Sequence, residues 1–139
     1  MKLIAALRRS AFARPHLLML QGAHRTAARI AVERWARVHG WPLAASPVDA
    51  DIVAVCGTVD GELGQASDRI AGRVPLPRAV VRVDRDANGA DLDTLFAAGR
   101  RALLDGAAQK RLAAGLPEQR EEPITPTTRW IQTLGDGRP

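Results

Sequence analysis

The sequence predicts an α/β domain: a small three-layer fold with a mostly parallel sheet of about four strands, flavodoxin-like in order, and helices on both faces. Three observations carry this. Short continuous apolar runs alternate with longer stretches of helical period, which is the pattern of right-handed βαβ units. The run DIVAVCG (residues 51–57) is β-branched, unbroken and ended by glycine, as expected of a strand covered on both faces. And 139 residues with 46% apolar content suit one domain with a real core.

Taken in order, residues 1–15 read as an N-terminal amphipathic arm, stopped by Pro15, which disfavours helix at the residue before it. Residues 16–21 (HLLMLQ) are a short apolar run ending at Gly22, a buried strand. Residues 23–39 turn helical. Ala27, Ile30, Ala31, Arg34, Trp35 and Val38 recur at spacings of three and four, Arg25, Arg29, Glu33 and Arg37 form a more polar face, and Gly40 closes the helix. Residues 41–46 form a short extended piece before Pro47, and the strand at 51–57 follows. Residues 63–70 continue as a helix with Asp60 and Glu62 near its positive end, and Pro75 and Pro77 break it. RAVVRVD (78–84) is a further strand, Asn88-Gly89 a turn signal, 92–104 a helix and 107–114 a shorter one. The α/β domain thus spans 16–115. Residues 116–139 hold four prolines and little periodicity, and read as a mostly extended tail with a turn of helix near Trp130. Trp130 and Ile131 are its candidate anchors, to this domain or to a partner.

Composition narrows the function classes. The net charge is +5, but of 20 basic residues only Lys2 and Lys110 are lysine, and the charge is dispersed along the chain with few aromatics. That argues against a dedicated nucleic-acid patch, so no nucleic-acid partner is expected. The single cysteine, Cys56, lies inside an apolar run and reads as a buried small hydrophobe. It has no partner for an internal disulfide, so a cytoplasmic setting is expected. No stretch approaches the ~18 apolar residues that a membrane-spanning helix needs.

In a doubly wound sheet the functional crevice lies beyond the carboxyl ends of the strands. Three loops meet that rule: residues 22–26, 57–61 and 84–89. In the first, Gly22, His24 and Arg25 stand at a helix N-terminus suited to an anion, although His24 and Arg25 read more simply as a solvated first turn. In the second, Gly57, Thr58, Asp60 and Gly61 make a glycine-rich strand-to-helix turn that lacks the GxGxxG spacing, with Asp60 or Thr58 as a helix cap. The third carries Asp84, Arg85 and Asp86, whose two carboxylates suit either a metal or plain solvation. His16, His24 and His39 are the only histidines. No catalytic constellation and no metal cluster emerge from these residues, so the chain alone is not expected to be an enzyme.

At these same loops the chain resembles a known family: the PSST-type iron–sulfur subunit of NADH–quinone oxidoreductase, or complex I, together with the small subunits of energy-converting nickel–iron hydrogenases and formate hydrogenlyases. The matching stretches are HLLMLQGAHRTAARI (16–30), SPVDADIVAVCGT (46–58), VPLPRAVVRV (74–83) and DRDANGA (84–90). They fall in family order and spacing over residues 7–90. In that family four cysteines hold a four-iron–four-sulfur cluster. Here the two first-loop cysteines correspond to His24 and Ala27, the third to Asp86, and the fourth has no counterpart. The resemblance therefore implies a degenerate member that has lost its cluster and binds no cofactor. It would be a non-catalytic structural or docking subunit of a membrane-associated respiratory oxidoreductase or hydrogenase-like complex. Its implied partners are a hydrogenase or complex I-like large subunit and membrane-arm subunits, with peripheral contact at the cytoplasmic face of the membrane. The alternative is a small anion- or nucleotide-binding regulatory module on the same fold, using Gly22, His24, Arg25, Gly57, Thr58 and Asp60.

Overall fold

A computed structural model describes residues 2–22, 26–57 and 60–115. Helix α1 (Lys2–Ala11) is followed by β1 (Leu17–Gln21), α2 (Thr26–His39), a single 3-10 turn (Pro47–Asp49), β2 (Ile52–Cys56), α3 (Gly61–Gly72), β3 (Ala79–Val83), α4 (Gly89–Leu104) and α5 (Gly106–Ala114). The tail at 116–139 lies outside the described residues.

The three strands form one parallel sheet in the order β1-β2-β3, in register from Leu17↔Ile52↔Ala79 to Gln21↔Cys56↔Val83. The expected fourth strand is present only as a parallel bridge, Leu17↔Leu43, on the outer side of β1. Two hydrogen bonds make it: Leu17 N–H donates to the Pro42 carbonyl (2.9 Å) and Ala44 N–H to the Leu17 carbonyl (2.8 Å). Pro42 has no N–H to extend the ladder and Pro47 follows closely, so the segment cannot lengthen into a strand. Counted with that bridge, the order is the flavodoxin-like 2-1-3-4.

This winding explains the two-sided cover. The chain crosses one face through α2 to place Leu43 outside β1, then reverses direction to reach β2 and β3. Steps in opposite directions with the same hand must use opposite faces. On one face, Leu17, Ile52, Ala54, Cys56, Val81 and Val83 pack under α2 and α4; on the other, Leu18, Val53 and Val55 pack against Ala71 and Val74 at the end of α3, with Ala44 and Ala50 of the return connection. β2, the central strand, is buried along its whole length, whereas β3 alternates buried and exposed.

The face of α2 differs from the sequence expectation. Ala28, Val32, Trp35 and Ala36 are buried, while Ile30 and Val38 face solvent. Apolar residues occur almost all round this helix, so two stripes satisfy the three-and-four spacing. The stripe with the smaller residues admits close approach to the sheet and lets Trp35 reach the core. There Trp35 stacks on His39 (ring centroids 4.0 Å apart), and its Nε1–H donates to the Asp93 carboxylate on α4 (2.7 Å).

Asn88-Gly89 is a helix start rather than a free turn. The Asn88 side chain accepts from Asp91 N–H and the Asp91 carboxylate accepts from Asn88 N–H, a reciprocal capping box that begins α4 three residues earlier than periodicity alone suggests. The arm at the N-terminus is helical as α1, with no buried residue. It is tied down just beyond its end, where Arg100 Nε–H donates to the Phe12 carbonyl (2.9 Å). Among the described residues no helix is long and apolar enough to cross a membrane.

Candidate functional site

Because all three strands are parallel, their carboxyl ends stand in a row. Two backbone bonds stitch that row together: Gly22 N–H donates to the Cys56 carbonyl (3.4 Å) and Gly57 N–H to the Val83 carbonyl (2.7 Å). Gly57 adopts φ 85° and Gly61 φ 58°, so the strand-to-helix turn between them needs glycine at both positions. Gly22 is buried and Gly57 half-buried just beyond the carboxyl ends of β1 and β2. His24, Arg25 and Thr58, the residues expected to line the crevice there, lie outside the described residues.

Of the remaining candidates, Asp60 occupies the N-cap position of α3 but its side chain makes no capping hydrogen bond, contrary to the cap role expected of it. Its backbone is extended (φ −113°, ψ 159°), and its exposed carboxylate is left to solvent instead of bending back to the first turn. Ala27 stands exposed in the first turn of α2, and Asp86 lies in the turn after β3, highly exposed and 3.5 Å from Arg85 Nε. A cleft of ≈ 770 Å³ beside this turn is lined by Arg82 and Arg85 and by the carboxylates of Asp84, Asp86 and Asp91. Carboxylates outnumber guanidinium groups there, which disfavours anion binding on this side of the crevice.

Around the end of β1, Arg29 of α2 joins two partners that are separate in the sequence pattern. Its Nε–H donates to the Glu33 carboxylate (2.8 Å) and its Nη1–H to the Gln21 side-chain amide oxygen Oε1 (3.4 Å). The pair stands near Cys56, which is fully buried in the α2/α4 core. Burial pushes the Cys56 thiol up to about 11; Arg29 pulls it slightly down and Glu33 slightly up. At neutral pH the side chain is a protonated thiol packed as a small hydrophobe, neither nucleophile nor metal ligand.

The folded state holds this thiol protonated above its ordinary value of 9.0, so its contribution to stability is intact below pH 9 and is lost as pH rises toward 11. Denaturant midpoints measured between pH 8 and 11 are expected to fall more steeply for the natural chain than for Cys56→Ala. Identical slopes would show that the thiol titrates normally in the folded protein.

The cluster implied by the resemblance needs a donor set that this crevice does not supply. A four-iron–four-sulfur cluster is held by thiolates, normally four, with an occasional histidine. This chain has one cysteine, on the core side of the central strand. Ala27 offers no donor atom and Asp86 only a carboxylate. These residues do not fit the cluster. Among the described residues, no three His, Cys, Asp or Glu side chains converge so as to hold a metal ion. Compared with known proteins, the chain matches no family model and no curated relative.

Proposed function

We propose that this chain is a non-catalytic docking subunit of a membrane-associated oxidoreductase complex of the complex I and hydrogenase kind, retaining the sheet of an electron-carrying small subunit without its iron–sulfur cluster. The observation that carries the reading is the row of strand ends. The strand ends are aligned in flavodoxin-like order, yet the positions that the resemblance matches to the cluster ligands hold a histidine, an alanine and an exposed aspartate, and no cysteine. Such a rim is suited to meeting a protein surface, in this reading a large-subunit-like partner. The anion- or nucleotide-binding alternative gains nothing from the third loop, where acidic side chains prevail.

Peripheral membrane contact is supported by α1. Leu3, Ile4 and Leu7 are exposed at 71, 57 and 60%, and Arg8 and Arg9 close the helix. The first acidic residue of the chain is Glu33, so the whole N-terminal segment is basic. An amphipathic basic helix of this kind favours an anionic lipid surface at the cytoplasmic face, each basic residue near it adding about 1 kcal/mol.

Affinity purification from native membranes tests the reading. Recovery of a large-subunit-like protein with membrane-arm subunits is expected; a strictly monomeric chain recovered alone would sink it. Anaerobic reconstitution with iron and sulfide is expected to leave the protein colourless and iron-free. Stoichiometric iron with thiolate-to-iron charge-transfer absorbance would restore an electron-carrying role. For α1, sedimentation with vesicles of mixed neutral and anionic phospholipid is expected to capture the natural chain. The triple variant Leu3→Ser, Ile4→Ser, Leu7→Ser should remain in the supernatant; equal binding of both would remove the membrane contact from the proposal.

A further inference from the structure

β3 is the edge strand on the side away from the Leu43 bridge. Ala79 N–H donates to the Asp51 carbonyl and the Val83 carbonyl accepts from Gly57 N–H, so both residues turn their peptide groups toward β2. Backbone groups alternate in direction along a strand, so those of Arg78, Val80 and Arg82 turn outward. The Gln109 carboxamide of α5 fills the Arg78 rung, accepting from its N–H (2.9 Å) and donating to its carbonyl (2.9 Å) as a neighbouring peptide group would. The Val80 and Arg82 rungs have no hydrogen-bond partner among the described residues. They adjoin a groove of ≈ 630 Å³ walled by Leu95, Ala98, Ala102 and Leu112. Charge is graded along this edge. The groove is lined by Arg78, Arg82 and Arg111 and by no acidic side chain. Arg78 is spent internally, its Nη1–H donating to the Gly72 and Val74 carbonyls (2.9 Å each), and Arg82 comes only within 3.9 Å of the exposed Asp68 carboxylate. Past the carboxyl end of β3 the groove meets the cleft of Asp84, Asp86 and Asp91, with which it shares Arg82 and Leu95.

We propose that the β3 edge takes one extended segment of a partner protein as a short added strand. That segment carries β-branched side chains toward the groove, acidic residues at the end beside Arg111 and basic residues at the end beside Asp84 and Asp86. Main-chain bonds to the two open rungs attach it, the apolar wall buries its alternate side chains, and opposite charges set its placement. A second copy of this chain fits poorly. A two-fold antiparallel pairing centred on Val80 or Val81 would set Arg82 or Asp84 of one copy opposite Arg78 of the other, a rung that Gln109 already fills. Centred on Arg82, it would set the two Arg82 side chains directly opposite each other, which is destabilising. The inference concerns the edge of the sheet and not its strand ends, so it stands apart from the docking role proposed above.

Residue-resolved hydrogen exchange on the full chain provides the test, with two synthetic end-capped peptides, EETVTVKK and KKTVTVEE, as probes. They carry the same charges in opposite chain directions and so cover parallel and antiparallel addition. At ~1 mM, at least one is expected to slow the Val80 and Arg82 amides about tenfold, as a ligand at about ten times its Kd does, while the central amides of Val53 and Val55 stay unchanged. The same peptide N-methylated at its four central residues lacks the ladder donors and should have no effect. Arg111→Glu, at an exposed position, should weaken binding roughly fivefold or more without moving Val53 and Val55. Four outcomes overturn the proposal: no slowing by either peptide, equal slowing by the methylated one, an unchanged affinity in Arg111→Glu, or Val80 and Arg82 already protected in the peptide-free chain, whether monomer or dimer by sedimentation. None of these bears on the purification from native membranes, so the two readings fail separately.

Discussion

Phe96→Ala is expected to lower the stability of this domain by about 3–5 kcal/mol, the range for deleting a buried aromatic side chain. Among the described residues Phe96 is the largest side chain with no solvent exposure, and it sits where three elements meet. Its ring lies 4.4 Å from Trp35 of α2 and 5.6 Å from Trp41, centroid to centroid, and Trp35 and Trp41 are themselves edge-on at 4.9 Å. This cluster is the joint between α2, α4 and the segment that leads to the Leu43 bridge. In a chain with few aromatics, small residues fill most of the remaining core, and Ala, Val and Gly cannot expand into the cavity left by the missing ring. A domain of this size has ~5–15 kcal/mol in total, so the variant should populate unfolded molecules measurably. Denaturant titration followed by tryptophan fluorescence checks it, because the two core indoles report directly on the site. Phe96→Leu, which retains most of the volume, should lose markedly less. If Phe96→Ala cost under ~1 kcal/mol, the aromatic joint would not be the keystone of this face.

Much of this arrangement is written in local patterns. β2 is legible because a continuous β-branched run has no other economical reading, and β3 because Arg78 and Arg82 alternate with Val81 and Val83. That same alternation marks a strand with one face open to solvent. The helical face of α2 was not legible. An alanine-rich helix offers more than one stripe of small residues, and only the flat surface of the sheet chooses between them. The fourth strand was legible as an extended piece, yet its reduction to one bridge depends on where Pro42 falls relative to Leu17, a tertiary fact. Gln109 illustrates the limit best. As a residue in a short helix it carries no sequence signal, but the fold brings its carboxamide to the backbone of Arg78, 31 positions away.

The crevice followed a different logic. Its location at the strand ends comes from topology, which alternating elements reveal well. Its chemistry depends on side chains in loops, where spacing alone cannot say which atoms converge. Gly22 and Gly57 were legible as turn residues and stand at the strand ends, where their N–H groups bond across the sheet. The network of Arg29 with Gln21 and Glu33 joins residues from β1 and α2 and was not legible, since on the helix Arg29 and Glu33 read only as a solvated pair. The burial of Cys56 was legible from its apolar neighbours.

Gly99→Val is expected to destabilise the domain by about 3 kcal/mol, through overpacking rather than loss of contacts. Gly99 is buried in the middle of α4, where an isolated helix would gain ~1 kcal/mol from alanine in its place. Here the helix rests on the sheet at that point. A Cβ built at Gly99 comes within 2.8 Å of Val81 Cγ2 and 3.4 Å of Ile52 Cδ1. Val81 is β-branched and stiff, and it is held in β3 between buried neighbours, so it cannot rotate away cheaply. Ile52 lies in the fully buried central strand. The glycine therefore sets the distance between α4 and the sheet, and the two further methyl groups of valine would lift the helix off β3. The effect should reach beyond the substituted site, since Trp35, Phe96 and the Gln109–Arg78 pairing all depend on α4 lying close. Gly99→Ala separates the two influences: helix propensity favours it and the Val81 contact opposes it. Thermal and denaturant unfolding should rank the natural chain above Gly99→Ala, and Gly99→Ala above Gly99→Val. Pairing each with Val81→Ala should recover part of the loss, because the obstructing methyl is then gone. A Gly99→Ala chain more stable than the natural one would show that α4 does not approach the sheet as closely as the Val81 contact requires.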